Sequence, residues 1–241
     1  MSEPVTPYKT SASKKEEVRS MFDNIAGKYD FLNRILSLRI DVAWRNRAVR
    51  ILKTYKPVHV LDVACGTGDF SIAALKSGAK QVTGVDISEN MLASGRKKLA
   101  AKGLTDKIQL LTGDSEQLQF ENDRFDAATV AFGVRNFEHL DKGLQEMYRV
   151  LKPGAPIVVL EFSKPKSFPV KQLYHVYFST ILPAIGRLIS GDPRAYTYLF
   201  ESVSAFPEGE QFLQHLRNAG FKSCKVNRLT FGICSLYSAE K

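Results

Sequence analysis

The sequence predicts an α/β fold: a mostly parallel sheet of seven strands with helices on both faces. Three observations predict it. Short apolar runs at 58–63, 81–85, 108–111, 126–131 and 157–162 alternate with helical patterns at about 69–77, 89–101 and 138–151. Alternation with short links favours parallel strands joined by crossover helices. The first run, with Val58, Val60, Leu61 and Val63 around the single charge of Asp62, closes on Gly66, Thr67 and Gly68 before Asp69 opens a helix. A β-branched run ending in small residues reads as a buried strand and a tight turn. Finally, a helix at 208–219 stopped by Gly220 gives way to two more strand patterns, 221–229 and 232–238.

In chain order, Met1–Ser13 is polar, carries two prolines and reads as a loose tail, not a signal peptide. Ser13 and Glu16 have capping-box spacing, and Val18, Met21, Phe22 and Ile25 follow at helical intervals until Gly27, expected to end that helix. A second helix starts near Asp41, with Trp44, Ala48, Ile51, Leu52 and Tyr55 on one face. Residues 1–56 are thus a tail with two helices placed to cover a cofactor or substrate site, and residues 57–241 are the main domain. The helix at 138–151 carries Leu140, Leu144, Met147, Tyr148 and Leu151 in register and stops at Lys152-Pro153-Gly154. A long excursion at about 164–206 reads as a helical insertion on the substrate side. Within it Phe178, Leu182, Ile185 and Ile189 recur at helical spacing around Pro183, a face for the core, for the pocket or for lipid. The stretch 173–189, interrupted by His175, Ser179, Thr180, Pro183 and Arg187, falls short of a membrane span.

The chain has 241 residues, enough for one good core, with 44% hydrophobic and 24% charged side chains. Three cysteines, Cys65, Cys224 and Cys234, have no C-x-x-C spacing, and the four histidines, His59, His139, His175 and His215, are scattered. These features point to a reducing cytosol without disulfides or a metal site. The net charge of +9 is uneven: 12 basic and 6 acidic side chains in 1–56, 12 and 14 in 57–163, 10 and 5 in 164–241. Basic flanks around a slightly acidic core suit nucleic acid, an anionic membrane or an anionic substrate, or are simply a soluble surface.

The glycine loop can bring a nucleotide against bare backbone amides at a helix N-terminus. It is not a dinucleotide fingerprint, because Ser71 stands at the third glycine position, and no lysine follows to make a phosphate loop. The pattern Asp62-x-x-Cys65-Gly66-Thr67-Gly68 resembles the first motif of the S-adenosylmethionine methyltransferases with a Rossmann-like fold, with Ala64 at their usual first glycine. That resemblance implies their arrangement, in which the sheet ends with an antiparallel terminal strand. Asp86, ending a strand 18 positions past Gly68, can accept from both ribose hydroxyls of an adenosine. Its alternative is to cap the helix near Glu89, for which Ser88 is better placed. Asp114, in Gly113-Asp114-Ser115-Glu116, stands where such enzymes put an acid for the adenine amino group; otherwise it is a turn aspartate.

Longer stretches narrow the resemblance. The segment 128–165, with Phe132-Gly133-Val134-Arg135-Asn136, Arg149-Val150-Leu151-Lys152-Pro153-Gly154 and Leu160-Glu161-Phe162-Ser163-Lys164-Pro165, is similar to the menaquinone and ubiquinone biosynthesis C-methyltransferases. So are 21–45, 181–207 and 219–241, so the likeness spans nearly the whole chain; Ala155 replaces the second of a family Gly-Gly pair. It implies S-adenosylmethionine bound by Thr67, Asp86, Asp114 and Ser115 with the loop glycines Gly66 and Gly68, and by Ala131 at the fourth strand tip, where a family serine hydroxyl is lost. The implied substrate is a polyprenylated quinol methylated on a ring carbon.

A quinol carbon is nucleophilic mainly once a neighbouring hydroxyl ionises, so the site must hold the reactants about 3–3.5 Å apart and favour the phenolate. Arg135 and Asn136 are the candidate catalytic pair: the arginine to stabilise the phenolate, since it is no base, and the asparagine to hold a ring oxygen. The alternatives are that Arg135 pairs with a core carboxylate and Asn136 caps the helix near Glu138. Glu161, His175, Tyr196 and Tyr198 are reserve candidates for the proton acceptor or the ring's walls. The expected protein is a cytosolic demethylmenaquinol methyltransferase working at an anionic membrane surface, since the substrate's tail stays in lipid. The motifs do not separate a naphthoquinol from the benzoquinol of ubiquinone synthesis. A nucleic-acid methyltransferase is disfavoured by the absence of an Asn/Asp-Pro-Pro-Tyr/Phe motif, and a non-catalytic scaffold by the intact loop, Asp86 and Arg135-Asn136.

Overall fold

Buried β-branched side chains set the strands: Val60, Val63, Val130, Ile157, Val158 and Val159 have no exposed surface. The computed structural model describes residues 5–37, 39–181 and 192–241. Seven strands, β1 (His59–Val63), β2 (Gln81–Asp86), β3 (Ile108–Thr112), β4 (Ala127–Ala131), β5 (Pro156–Phe162), β6 (Lys222–Leu229) and β7 (Cys234–Glu240), form one sheet in the order β3-β2-β1-β4-β5-β7-β6. The first five are parallel, and β7 runs antiparallel to both β5 and β6, as the resemblance implies.

The helices described are α1 (Lys14–Leu36), α2 (Ile40–Tyr55), α3 (Asp69–Ala74), α4 (Glu89–Ala101), α5 (Leu140–Val150), α6 (Val170–Val176), α7 (Pro193–Ala205) and α8 (Glu210–Asn218). Alternate residues of β5 divide two cores. Ile157 and Val159 meet Leu144, Met147 and Phe212 of α5 and α8; Val158 and Leu160 belong with Leu52, Phe70 and Leu92 of α2, α3 and α4. That period of two is what a strand buried on both faces requires.

Four expectations need correction. α1 does not stop at Gly27 but runs on to Leu36. A helical glycine costs roughly 1 kcal/mol, which packing outweighs here: Ile25 and Ala26 are buried, and the next turn carries Asp30 to the glycine loop. α5 begins at Leu140, because Val134–Asn136 forms a separate short 3-10 turn. β7 begins at Cys234, after a tight turn at Thr230–Gly232 in which Thr230 and Phe231 take positive φ.

The N-terminal tail is not loose from Val5 on. Glu17, buried on α1, accepts from the backbone N–H groups of Tyr8 (2.6 Å), Lys9 (3.0 Å) and Thr10 (2.6 Å) and from the Thr10 hydroxyl (2.5 Å). The Tyr8 hydroxyl donates to Asp192, and Arg194 Nε donates to the carbonyl of Pro7 (2.9 Å), so the tail straps α1 to α7. The apolar stripe reaching Pro183, Leu182, Ile185 and Ile189 lies outside the described residues, as do the side chains of Phe178 and Tyr196.

Burial pushes the Glu17 carboxyl up, but the donors of Thr10 and Tyr8 outweigh it and bring it down to about 2. Its hydrogen bonds therefore add stability that is complete above the unfolded value and lost as pH falls through the folded one. The native chain is expected to melt above Glu17→Gln at neutral pH, with the gap closing as pH falls below about 4.5. Thermal melts across that range check this; a gap independent of pH would assign the strap to other contacts.

Candidate active site

The order β2-β1-β4 puts a crevice beyond the carboxyl ends of these strands, where the chain's crossovers diverge. Four turns line it. After β1, Ala64 (φ 53°) and Gly66 (φ 54°) both take the left-handed conformation that favours glycine. Ala64 thus adopts the tight turn that a glycine would make. Its methyl is accommodated by Gly133 after β4, where an added Cβ would lie 2.6 Å from it.

Asp86, at the end of β2, is 9% exposed. One oxygen accepts from Gly66 N–H (2.7 Å) and the other from Ser88 N–H (2.9 Å). Burial pushes its carboxyl up while these donors pull it back. The carboxylate also takes the backbone N–H of Ile87, and its about four acceptor sites still leave room for a ligand's donor. The helix cap falls to Ser88, whose hydroxyl accepts from Met91 N–H (3.2 Å).

Asp114 and Ser115 line the crevice after β3, and Ala131 and Asn136 after β4. Asp114 is paired with Lys15 of α1 at 2.6 Å. Buried Glu116 takes Lys15 at 3.3 Å, His139 at 3.0 Å and the backbone N–H groups of Glu138 and His139. Glu116 therefore answers the start of α5, the part that Asn136 would play in its alternative reading. Asn136 instead lines the crevice, and its Oδ1 is buried without a partner among the described residues.

Thr67 and Gly68 stand outside the crevice lining. The Thr67 hydroxyl donates to Asp30 of α1 (2.6 Å) and accepts from Lys98 of α4 (2.9 Å). Thr67 ties the loop to α1.

The roof over the crevice is α1, through Lys15, Val18, Phe22 and Tyr29. Sequence reasoning missed Lys14, Lys15 and Tyr29. Helical register past Gly27 would have placed Tyr29 four positions after Ile25, but the lysines look like any solvated first turn. Lys14 Nζ donates to the carbonyls of Arg135 (3.0 Å) and Phe137 (2.9 Å). Burial, then the charge of Arg135, lowers its ammonium to about 8.

A second cavity, of about 400 Å³, adjoins the crevice and shares Phe22, Tyr29 and Phe132 with it. Met21, Ile25, Trp44, Phe162, Tyr174 and Tyr198 are among the residues of its wall. Trp44, Phe132 and Phe162 form an aromatic group, with the Phe132 and Phe162 rings 4.5 Å apart. Arg135, on the turn after β4, also stands on this wall. It pairs with Glu161 at 2.9 Å, donates to the Phe132 carbonyl and lies 5.7 Å from the Phe162 ring centre. The core-carboxylate alternative for Arg135 is thus the geometry found. Glu161 has no exposed surface and lines neither cavity; burial pushes its carboxyl up and Arg135 draws it back. His175 stands on the exposed side of α6.

A polar crevice meeting an apolar cavity is what joining a nucleotide-like donor to a greasy acceptor requires. The model of the ubiE/COQ5 methyltransferase family matches residues 10–241. The chain belongs to that family. Among curated relatives, the demethylmenaquinone methyltransferase of Bacteroides fragilis is 48% identical over 240 residues, covering 99% of this chain and 98% of its own. The ubiquinone/menaquinone biosynthesis C-methyltransferase UbiE of Geotalea daltonii is 45% identical over 230 residues, covering 95% and 97%. Among solved structures, an S-adenosylmethionine-dependent methyltransferase from Thermotoga maritima superposes with a TM-score of 0.66 at 20% identity, covering 92% of this chain and 99% of its own. The [4+2]-cyclase SpnF also gives 0.66, at 18% identity over 96% and 98% of the two chains. Likeness at that identity carries the fold only, and the cyclase illustrates that the fold does not fix the reaction.

For this member of the ubiE/COQ5 family, Asp86→Ala removes a buried carboxylate that lines the crevice. Hydrogen bonds to a charged group are worth about 1.5–3 kcal/mol, so affinity for S-adenosylmethionine is expected to drop by roughly tenfold or more in calorimetry. The free protein should also lose stability, because Gly66 and Ser88 each lose an acceptor. Unchanged affinity would remove Asp86 from the cofactor site.

Proposed function

We propose that the chain transfers the methyl group of S-adenosylmethionine to a ring carbon of demethylmenaquinol. The observation that carries this is the meeting of the polar crevice and the apolar cavity at Phe22, Tyr29 and Phe132, with Arg135 beside the junction. The crevice suits an adenosine: Asp86 keeps room for a ribose hydroxyl's donor, Asp114 is placed for an adenine amino group with Ser115 beside it, and the orphaned Oδ1 of Asn136 awaits a donor. Gly66 leaves room against Met91, whose Cε would be 3.2 Å from an added Cβ. Bound there, S-adenosylmethionine supplies an electrophilic methyl group on a sulfonium.

The protein's own part is to place and ionise the ring. The cavity of about 400 Å³ lies within the range of sites that bury a small ligand, and its aromatic wall suits a flat ring. Glu161 fixes the Arg135 guanidinium, leaving Nε buried and without a partner among the described residues. That N–H is the donor offered to a phenolate oxygen. A dry, apolar cavity favours a reaction in which opposite charges are consumed.

Arg135→Ala alone would leave Glu161 buried and unpaired, a change that costs about 3–5 kcal/mol. The test therefore combines Arg135→Ala with Glu161→Gln. The double variant is expected to bind cofactor nearly normally and to turn over on the order of 10² more slowly. Weak cofactor binding with normal turnover at saturation would move Arg135 to the cofactor side.

The enzyme also works at the bilayer surface. No helix of the described residues is long and apolar enough to cross a membrane. Leu173 and Ile40 line the cavity yet are 67% and 38% exposed, which puts them at its mouth, and Val176 on the next turn of α6 is 52% exposed. Exposed Lys166 and Lys171 flank this edge, and basic side chains near an anionic leaflet contribute about 1 kcal/mol each. Binding to vesicles of anionic lipid should weaken as salt rises. Leu173→Asp with Val176→Asp should reduce activity on long-tailed quinol in vesicles and spare a short-tailed soluble analogue. Equal loss on both would make these residues part of the pocket.

A further inference from the structure

The cavity's polar end holds more than Arg135. Tyr198, on α7, is 1% exposed and lines the cavity, and its hydroxyl has no hydrogen-bond partner among the described residues. α7 packs against the Val134–Asn136 turn that carries Arg135. The charges of Arg135 and Glu161 both reach the Tyr198 phenol, and burial pushes it well above its usual range, so it stays neutral. Two hydrogen-bond donors, the N–H at Nε of Arg135 and the O–H of Tyr198, are thus buried beside one cavity without acceptors among the described residues.

Leaving a buried polar group unpaired costs about 1–3 kcal/mol, so a fold has reason to avoid it unless a ligand supplies the partner. The rest of the cavity narrows what that ligand is. Its wall is mostly apolar, with Met21, Ile25, Phe132 and Phe162 among its residues, which suits a flat apolar ring bearing oxygen acceptors. Because Glu161 already answers the Arg135 charge, a second oxygen on the ring needs a neutral donor.

We propose that Tyr198 is a specificity residue of the substrate site, its hydroxyl donating to a ring oxygen of the dihydroxy-aromatic acceptor. This rests on the quinol reading of the cavity. It assigns α7 a direct role: besides closing the pocket, the helix distinguishes an oxygenated ring from a hydrocarbon of the same shape.

Trp44 lines this cavity and is the chain's single tryptophan, so its fluorescence reports on occupancy. Wild type and Tyr198→Phe are titrated without oxygen with 1,4-naphthoquinol carrying one isoprenyl unit, and with the tail-matched naphthalene, which lacks both oxygens. Tyr198→Phe should bind the naphthoquinol about three- to tenfold more weakly, the worth of one neutral hydrogen bond, and bind the naphthalene as wild type does. In turnover the KM for quinol should rise while the KM for S-adenosylmethionine stays put. Melts of the free proteins separate this from a role in folding: removing a hydroxyl that has no partner should leave Tyr198→Phe as stable as wild type or more so. Wild-type binding with no difference in the variant, equal weakening on both probes, or a lowered melt would each overturn the assignment. If wild type binds no naphthoquinol, the quinol reading falls and takes this assignment with it.

Discussion

A carboxylate with no exposed surface sits near the end of a central strand, and much of the site depends on how it is answered. Glu161 would be prohibitive to bury alone; paired with Arg135, and accepting the N–H of Phe162 as well, it becomes a fixed post. The pair makes the turn after β4 stiff. That turn carries Phe132 on the wall common to crevice and cavity, and Asn136 on the crevice side. An arginine free to swing would place neither charge nor ring wall; one tied to Glu161 and the Phe132 carbonyl has few conformations left. The ion pair is best understood as a device for position, because buried pairs seldom add much net stability.

The second support comes from outside the sheet. α1 is tied to the glycine loop by Asp30 to Thr67, to the β3 turn by Lys15, and to the β4 turn by Lys14, while the tail fastens its first turns to α7. Each contact joins a charged or polar side chain of α1 to a loop at the carboxyl edge of the sheet. The helix is therefore part of the binding surface, as α2, α6 and α7 are on the cavity side, whereas α3, α5 and α8 hold the sheet.

The sheet was largely legible in the sequence, because strands buried on both faces leave continuous apolar runs and glycine marks the turns. The position of Asp86 was legible too: it ends β2 at the crevice, just before the helix that Ser88 caps. What failed to show was anything decided by distant pairing. The partner of Arg135 depends on β4 and β5 aligning Ala131 with Leu160, which brings Glu161 beside the next turn. Gly27 looked like a helix stop because the residues that override it, Asp30 and Tyr29, contact elements far along the chain. Thr67 fits the motif in type and place, yet a loop threonine can turn either way, and here its hydroxyl faces α1. The tail read as loose because its polar residues give no hint that their backbone amides converge on Glu17.

Phe22 and Tyr29 belong at once to the roof of the crevice and to the wall of the cavity. Two reactants of opposite character, one water-loving and one lipid-borne, are thus separated from each other by the same two rings on the same helix. Any displacement of α1 wide enough to admit one disturbs the compartment of the other. The chambers are mechanically linked: a shift of either ring that widens one of them narrows the other.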